Sequence, residues 1–137
     1  MRAIFGLLMS VMLLVPAATR AQDADVAAAR DVIALQIDAF QRDDFETAFT
    51  HASPMIQAMF GTPDRFAAMV RGGYPMVWRP SSIRFGISRE NNGSVFQQVL
   101  LGGPRGQSYV AEYELIRVRG VWRIHGVQLL PDVGAGA

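Results

Sequence analysis

Hydrophobic positions recur near every fourth residue through the first half of the chain and near every second residue after Pro80. From Ala24 to Arg42, Val26, Ile33, Ile37 and Phe40 share one stripe while Asp31, Asp38 and Arg42 fall outside it, which predicts a long amphipathic helix. Asp43 stands three residues before Glu46, where Phe45, Ala48 and Phe49 open a new apolar set. That spacing predicts a capping box, a use of paired carboxylates favoured here over acid-base chemistry. Ser53-Pro54 and Thr62-Pro63 repeat one device, a capping hydroxyl followed by a proline at the first helical position. Two short helices are expected after them. One presents Met55, Ile56, Met59 and Phe60 and stops at Gly61; the other presents Phe66, Met69 and Val70 and stops at Gly72-Gly73, with Gly72 a candidate for positive φ.

Beyond Pro80 the period falls to two, and four strands are expected over Ser82–Glu90, Val95–Leu101, Gln107–Val118 and Val121–Leu130. Asn91-Asn92-Gly93 and Arg119-Gly120 read as tight turns, so neighbouring strands run antiparallel. A two-residue Arg119-Gly120 turn sets Leu115 opposite Ile124, Tyr113 opposite Gly126 and Glu114 opposite His125. A two-residue Asn92-Gly93 turn sets Phe85 opposite Leu100 and Ile87 opposite Gln98. One face then collects Ile83, Phe85, Ile87, Gln98, Leu100, Tyr109, Tyr113, Leu115, Trp122 and Ile124, and belongs under the helices. Arg84, Glu90, Glu112, Glu114, Arg123 and His125 take the other face. The fold class is α+β: a long N-terminal helix and short helices packed on a bent four-stranded antiparallel sheet.

Composition adds an address. Arg2, the apolar run Ile4–Val15 and the small residues before Gln22 read as a cleavable export signal, residues 1–21, cut after Ala21. Residues 22–130 form one domain and 131–137 a flexible Gly/Ala tail. The expected location is periplasmic or secreted, without membrane insertion after cleavage. There is no cysteine, hence no disulfide framework and no thiolate metal site. All 13 basic residues are arginine, and the balance with 12 acids is not that of a nucleic-acid binder. Residues 22–64 hold 2 arginines against 8 acids and residues 65–137 hold 9 against 4, so an acidic helical half is expected to attract a basic sheet half.

Candidate chemistry is sparse. His125 facing Glu114 could orient an imidazole for general-base work, although a cross-strand surface pair is the plainer reading. His51 closes a short helix, and two separated histidines make no metal pattern. Tyr74, Trp78 and Arg79 sit where helix hands over to sheet and could frame a pocket for a small apolar or anionic ligand. Pro75 and Pro80 also make that stretch a stiff structural plug.

Asp43, Asp44, Phe45, Ala48, Phe49, Ser53, Pro54, Phe66, Met69, Val70, Arg71, Tyr74, Pro75, Arg79 and Pro80, with Trp122 and Ile124, carry a family resemblance. Over residues 25–130 the chain resembles the nuclear-transport-factor-two-like (SnoaL-like, cystatin-like) cone fold, and more closely an exported proteobacterial family known only as a domain of unknown function. The resemblance implies a cone-shaped pocket that ketosteroid isomerases and SnoaL-like cyclases use for catalysis and other members use for binding or dimerisation. Fold alone does not choose among these. Three readings follow: a noncatalytic module of the cell envelope, binding a small ligand or pairing with a second copy through the sheet; a cofactor-free lyase or isomerase using Tyr109, Tyr113, Glu114 or His125; or a purely structural envelope component. The binding residues expected are Tyr74, Trp78, Arg79, Gln98, Tyr109, Tyr113 and Trp122, with no cofactor and no metal.

Overall fold

The computed structural model describes residues 12–131. Most of the expected export signal and all of the tail after Pro131 lie outside the described residues. Helix α1 (Ala17–Gln41) is followed by α2 (Phe45–Thr50), α3 (Pro54–Phe60), α4 (Pro63–Gly73) and α5 (Pro75–Trp78). Strands β1 (Ser82–Asn91), β2 (Ser94–Gly102), β3 (Ser108–Val118) and β4 (Val121–Leu130) form one antiparallel sheet in chain order. No described helix is long and apolar enough to cross a membrane.

The predicted stripe of α1 is its buried face, with Ile33, Ile37 and Phe40 almost fully enclosed and Val26 half-buried. On the exposed side Arg42 bonds Asp38 one turn back at 3.1 Å. Ser53 and Thr62 cap α3 and α4 as expected, their hydroxyls accepting from the backbone N–H of Ile56 and Arg65. The cap of α2 differs. Asp44, not Asp43, accepts from the Thr47 N–H, because the chain turns through Asp43 at φ +55° before the helix opens. Gly72 is also corrected: it lies inside α4 without positive φ, and the helix ends because Pro75 follows.

Both tight turns have positive φ at both central residues, Asn92-Gly93 and Arg119-Gly120, the geometry that matches the twist of a two-residue hairpin. The register expected from them holds next to each turn and then slips by one. In β3–β4, Leu115 faces Ile124 as predicted, but a bulge at His125 pairs Glu114 with Gly126 and Tyr113 with Val127. In β1–β2 a bulge at Gly86-Ile87 pairs Phe85 with Val99 instead of Leu100. Side chains alternate across a strand, so these slips exchange faces. Val95, Gln97, Val99 and Leu101 are the buried residues of β2, which puts Gln98 and Leu100 on the outer face; Ile87 is 71 % exposed. The inward assignment of Tyr113, Leu115, Trp122 and Ile124 stands.

The β1 bulge leaves strand carbonyls without ladder partners, and Gln97 supplies them. Its amide nitrogen donates to the carbonyls of Gly86, Ile87 and Gln98, while its oxygen accepts from Arg30 Nε of α1 at 2.9 Å. The expected attraction between halves appears in Arg117 bonding Asp25 and Arg79 bonding Asp43, and Arg123 adds a hydrogen bond to the uncharged Thr50 carbonyl.

Candidate functional site

The second bulge builds the floor of a sizeable concavity. Because His125 is squeezed out of the ladder, the link between α2 and α3 docks on β4: Ala52 pairs in parallel with Ile124, the Ser53 N–H donates to the Ile124 carbonyl at 2.8 Å, and the Ile124 N–H donates to the His51 carbonyl at 2.8 Å. Ser53 Oγ lies 2.9 Å from His125 Nδ1 and is fully buried. With the hydroxyl also receiving the Ile56 N–H, this pair ties α3 to β4; it offers no exposed nucleophile. The predicted Glu114–His125 pair is not formed. The bulge sets Glu114 against Gly126, and its carboxylate lies 3.5 Å from the Ser94 hydroxyl.

Held in this way, α3 and α4 stand off from β4 and leave a cavity of about 310 Å³. Its floor is Ile124, Gly126 and Val127 of β4 with Phe40 and Gln36 of α1; its walls are Ala52, Ile56, Met59 and Phe60 on one side and Phe66, Met69, Val70, Tyr74 and Val77 on the other. Among the described residues no lining side chain is charged, and Gln36 and Tyr74 alone carry a polar nitrogen or oxygen. Phe66 is the hinge of the aromatic wall, its ring 5.8 Å from Phe40, 5.3 Å from Phe49 and 5.7 Å from Phe60, each pair tilted. Gln36 is 2 % exposed, and its Nε2 donates to the Ala48 carbonyl at 3.1 Å.

Of the predicted binding residues, Tyr74 lines this cavity and the others do not. Trp78 and Arg79 close on Asp43 instead, the indole N–H at 3.0 Å from one carboxylate oxygen and the guanidinium at 2.8 Å from the other. The Trp78 bond first and Arg79 second hold the Asp43 carboxyl below its ordinary value. Arg71 and Arg79 both lie over the Trp78 ring, at 5.7 and 4.9 Å, so the cations of this corner are already engaged. Gln98 faces away from the helices. Trp122 is buried beneath Arg117, whose guanidinium lies 4.9 Å from its ring, and Tyr109 packs half-buried at the core's edge. Tyr113 is fully enclosed, its hydroxyl has no hydrogen-bond partner among the described residues, and burial pushes the phenol far above its ordinary range. The phenol stays protonated at neutral pH, and its enclosure keeps the O–H out of the cavity, which Tyr113 does not line. His51 is shifted down by desolvation and by Arg123.

The residues that do line the cavity were present in the sequence as apolar helix faces: Ile56, Met59 and Phe60, then Phe66, Met69 and Val70. Two methionine-bearing helices of seven and eleven residues, facing each other, were the only signal that these faces meet imperfectly.

Comparison with known proteins agrees with this architecture. The chain shares its fold with Rd1NTF2_05 (16 % identity, 79 % of this chain and 99 % of that one, TM-score 0.54). It is similarly related to Aln2 from a Streptomyces species (17 %, 80 % and 91 %, 0.51) and to a SEC-C motif containing protein from Rhodopseudomonas palustris (17 %, 69 % and 72 %, 0.51). At these identities the likeness concerns fold alone, which is nuclear-transport-factor-two-like. No curated protein matches the chain. The family described as domain of unknown function DUF4864 matches residues 22–137, spanning the α+β unit built above from the second turn of α1 onward, and the chain belongs to that family.

Proposed function

We propose that this protein is a noncatalytic binding module of the cell envelope that holds a small apolar molecule between α3, α4 and β4. The observation that carries the reading is the cavity itself. Its volume, about 310 Å³, falls at the small end of ligand pockets, and it is walled by apolar and aromatic side chains with two polar groups. Acid-base chemistry in such a pocket works through convergent titratable groups, and among the described lining residues the Tyr74 phenol is the single one, with no acid, imidazole or thiol beside it. Thermal denaturation of the full chain against a panel of small apolar molecules tests the reading. A ligand present at about 100 times its Kd stabilises by about 2.7 kcal/mol, which raises Tm by several degrees. A panel without any stabiliser contradicts it.

The export reading rests on Arg2, the apolar run Ile4–Val15 and the small residues up to Ala21. Mass spectrometry of protein recovered from a bacterial periplasm should find Gln22 at the N-terminus; an intact Met1 in the cytoplasm contradicts it. A second copy paired through the sheet is favoured by one row of the outer face. Leu100, Val110 and Leu130 are successive cross-strand neighbours there, each half-buried. Sedimentation should give a dimer that Leu100→Arg converts to monomer, and a wild-type monomer would dismiss the pairing.

A further inference from the structure

The proposed binding role leaves the ligand's chemistry open, and the cavity's two polar groups narrow it. Gln36 stands on the apolar stripe of α1 between Ile33 and Ile37, where a polar side chain costs stability unless its hydrogen bonds are made. Its Nε2 takes the Ala48 carbonyl at 3.1 Å. That bond fixes which way the carboxamide is turned, because an oxygen in the same place would meet an oxygen. It leaves Oε1 with two lone pairs, and one N–H, on a residue that lines the cavity. A ligand hydroxyl can donate to the first and accept from the second. A hydrocarbon can do neither, and a carboxylate can only accept.

Charge separates the candidates further. No cation lines the cavity. Arg71 and Arg79 are committed elsewhere, Arg71 lying 4.4 Å over Phe45 and Arg79 bonded to Asp43. An anion drawn into this space would lose its water without gaining a counter-charge, and an ammonium would find no carboxylate. The volume, about 310 Å³, equals about ten times the ~30 Å³ that a water occupies in the liquid, which admits roughly a dozen non-hydrogen atoms. Met59 lines the cavity and is also 64 % exposed, so the opening lies beside α3 with a flexible thioether at its rim.

Resting on the binding reading above, we infer that the ligand is a neutral, mostly apolar molecule of about a dozen non-hydrogen atoms whose single hydroxyl is received by Gln36. The apolar body lies along Ile56, Phe60, Phe66 and Val70, and the hydroxyl end points toward α1. This excludes anionic lipids of the same length as the preferred occupant.

The test is displacement of the neutral fluorophore 1-naphthylamine, a fused-ring amine no larger than this volume admits, from the full chain by three matched compounds: 1-decanol, decanoate and decylamine. Decanol should displace the probe at a concentration about tenfold lower than either charged analogue. Gln36→Leu should cut the advantage of decanol over the matched hydrocarbon undecane, which has nothing to offer a carboxamide, by about fivefold. If that variant does not fold, the wild-type series still decides. Decanoate or decylamine displacing as well as decanol overturns the inference while the binding reading survives, whereas a probe that never binds defeats the binding reading as well.

Discussion

Two regions of this molecule contain the same ingredients, aromatic rings beside methionine or arginine at the end of the helical layer, yet they differ in what is left over. At the corner made by Asp43, Arg71, Trp78 and Arg79, the indole N–H and one guanidinium bond the carboxylate and the other guanidinium lies over two rings. In the cavity between α3, α4 and β4, Phe60, Phe66, Met59 and Met69 surround about 310 Å³ that no side chain fills. The difference lies in the partner supplied. One carboxylate with two oxygens closes the corner, whereas no residue of matching shape closes the other. A rich set of side chains is therefore not itself a site; unfilled volume beside them is.

The largest effect that sharpens the comparison is expected at Phe66, whose ring touches three other rings and forms part of the cavity wall. Phe66→Ala should cost about 3–5 kcal/mol in chemical denaturation, because the lost ring adds to a space that is already open. A loss well under that range would mean that the helices collapse inward and that the cavity is shallow. Tyr113 stands next. Its enclosed hydroxyl has no partner among the described residues, so Tyr113→Phe should leave stability unchanged or raise it by up to ~1 kcal/mol. A marked loss would reveal a hydrogen bond to this phenol and reopen the catalytic reading.

Asp43 breaks the comparison from the other side. Asp43→Asn should lower Tm, since the Arg79 ion pair is lost, while leaving ligand affinity intact. The carboxyl's folded pKa is lowered, so its contribution is complete above the ordinary value of 3.8 and disappears as pH falls through the folded value. The acid limb of wild-type stability should therefore lose this component in the variant. His51 acts in a higher window. Its pKa is lowered from 6.5, so the unfolded chain takes up a proton first and stability declines as pH drops through 6.5, until the folded ring is protonated too. Calorimetric scans across that range check the sign.

Much of the architecture was legible because it depends on local rules. The α1 stripe, the Ser53 and Thr62 caps and the four strands all follow from spacing and turn chemistry. Register was legible only near the turns. Two bulges, at Gly86-Ile87 and at His125, carry no sequence sign strong enough to place them, and each reverses the faces beyond it. That is why Gln98 was expected inward while Gln97 is the enclosed amide, and why Glu114 and His125 were paired when His125 belongs to Ser53. The cavity was hidden for another reason. Ile56, Phe66 and Val70 pattern as core in any helix, and whether two such faces meet depends on how β4 holds the α2–α3 link. Tyr74 was found because a proline follows it, marking the handover it occupies.

The most direct test of the central contrast is a fluorescence titration of 1-naphthylamine into wild type, Ile56→Trp and Arg79→Ala. Saturable binding is expected in wild type and in Arg79→Ala, with its loss in Ile56→Trp, whose indole fills the cavity. Binding that persists in Ile56→Trp but disappears in Arg79→Ala would place the site at the corner and contradict the cavity as the binding site.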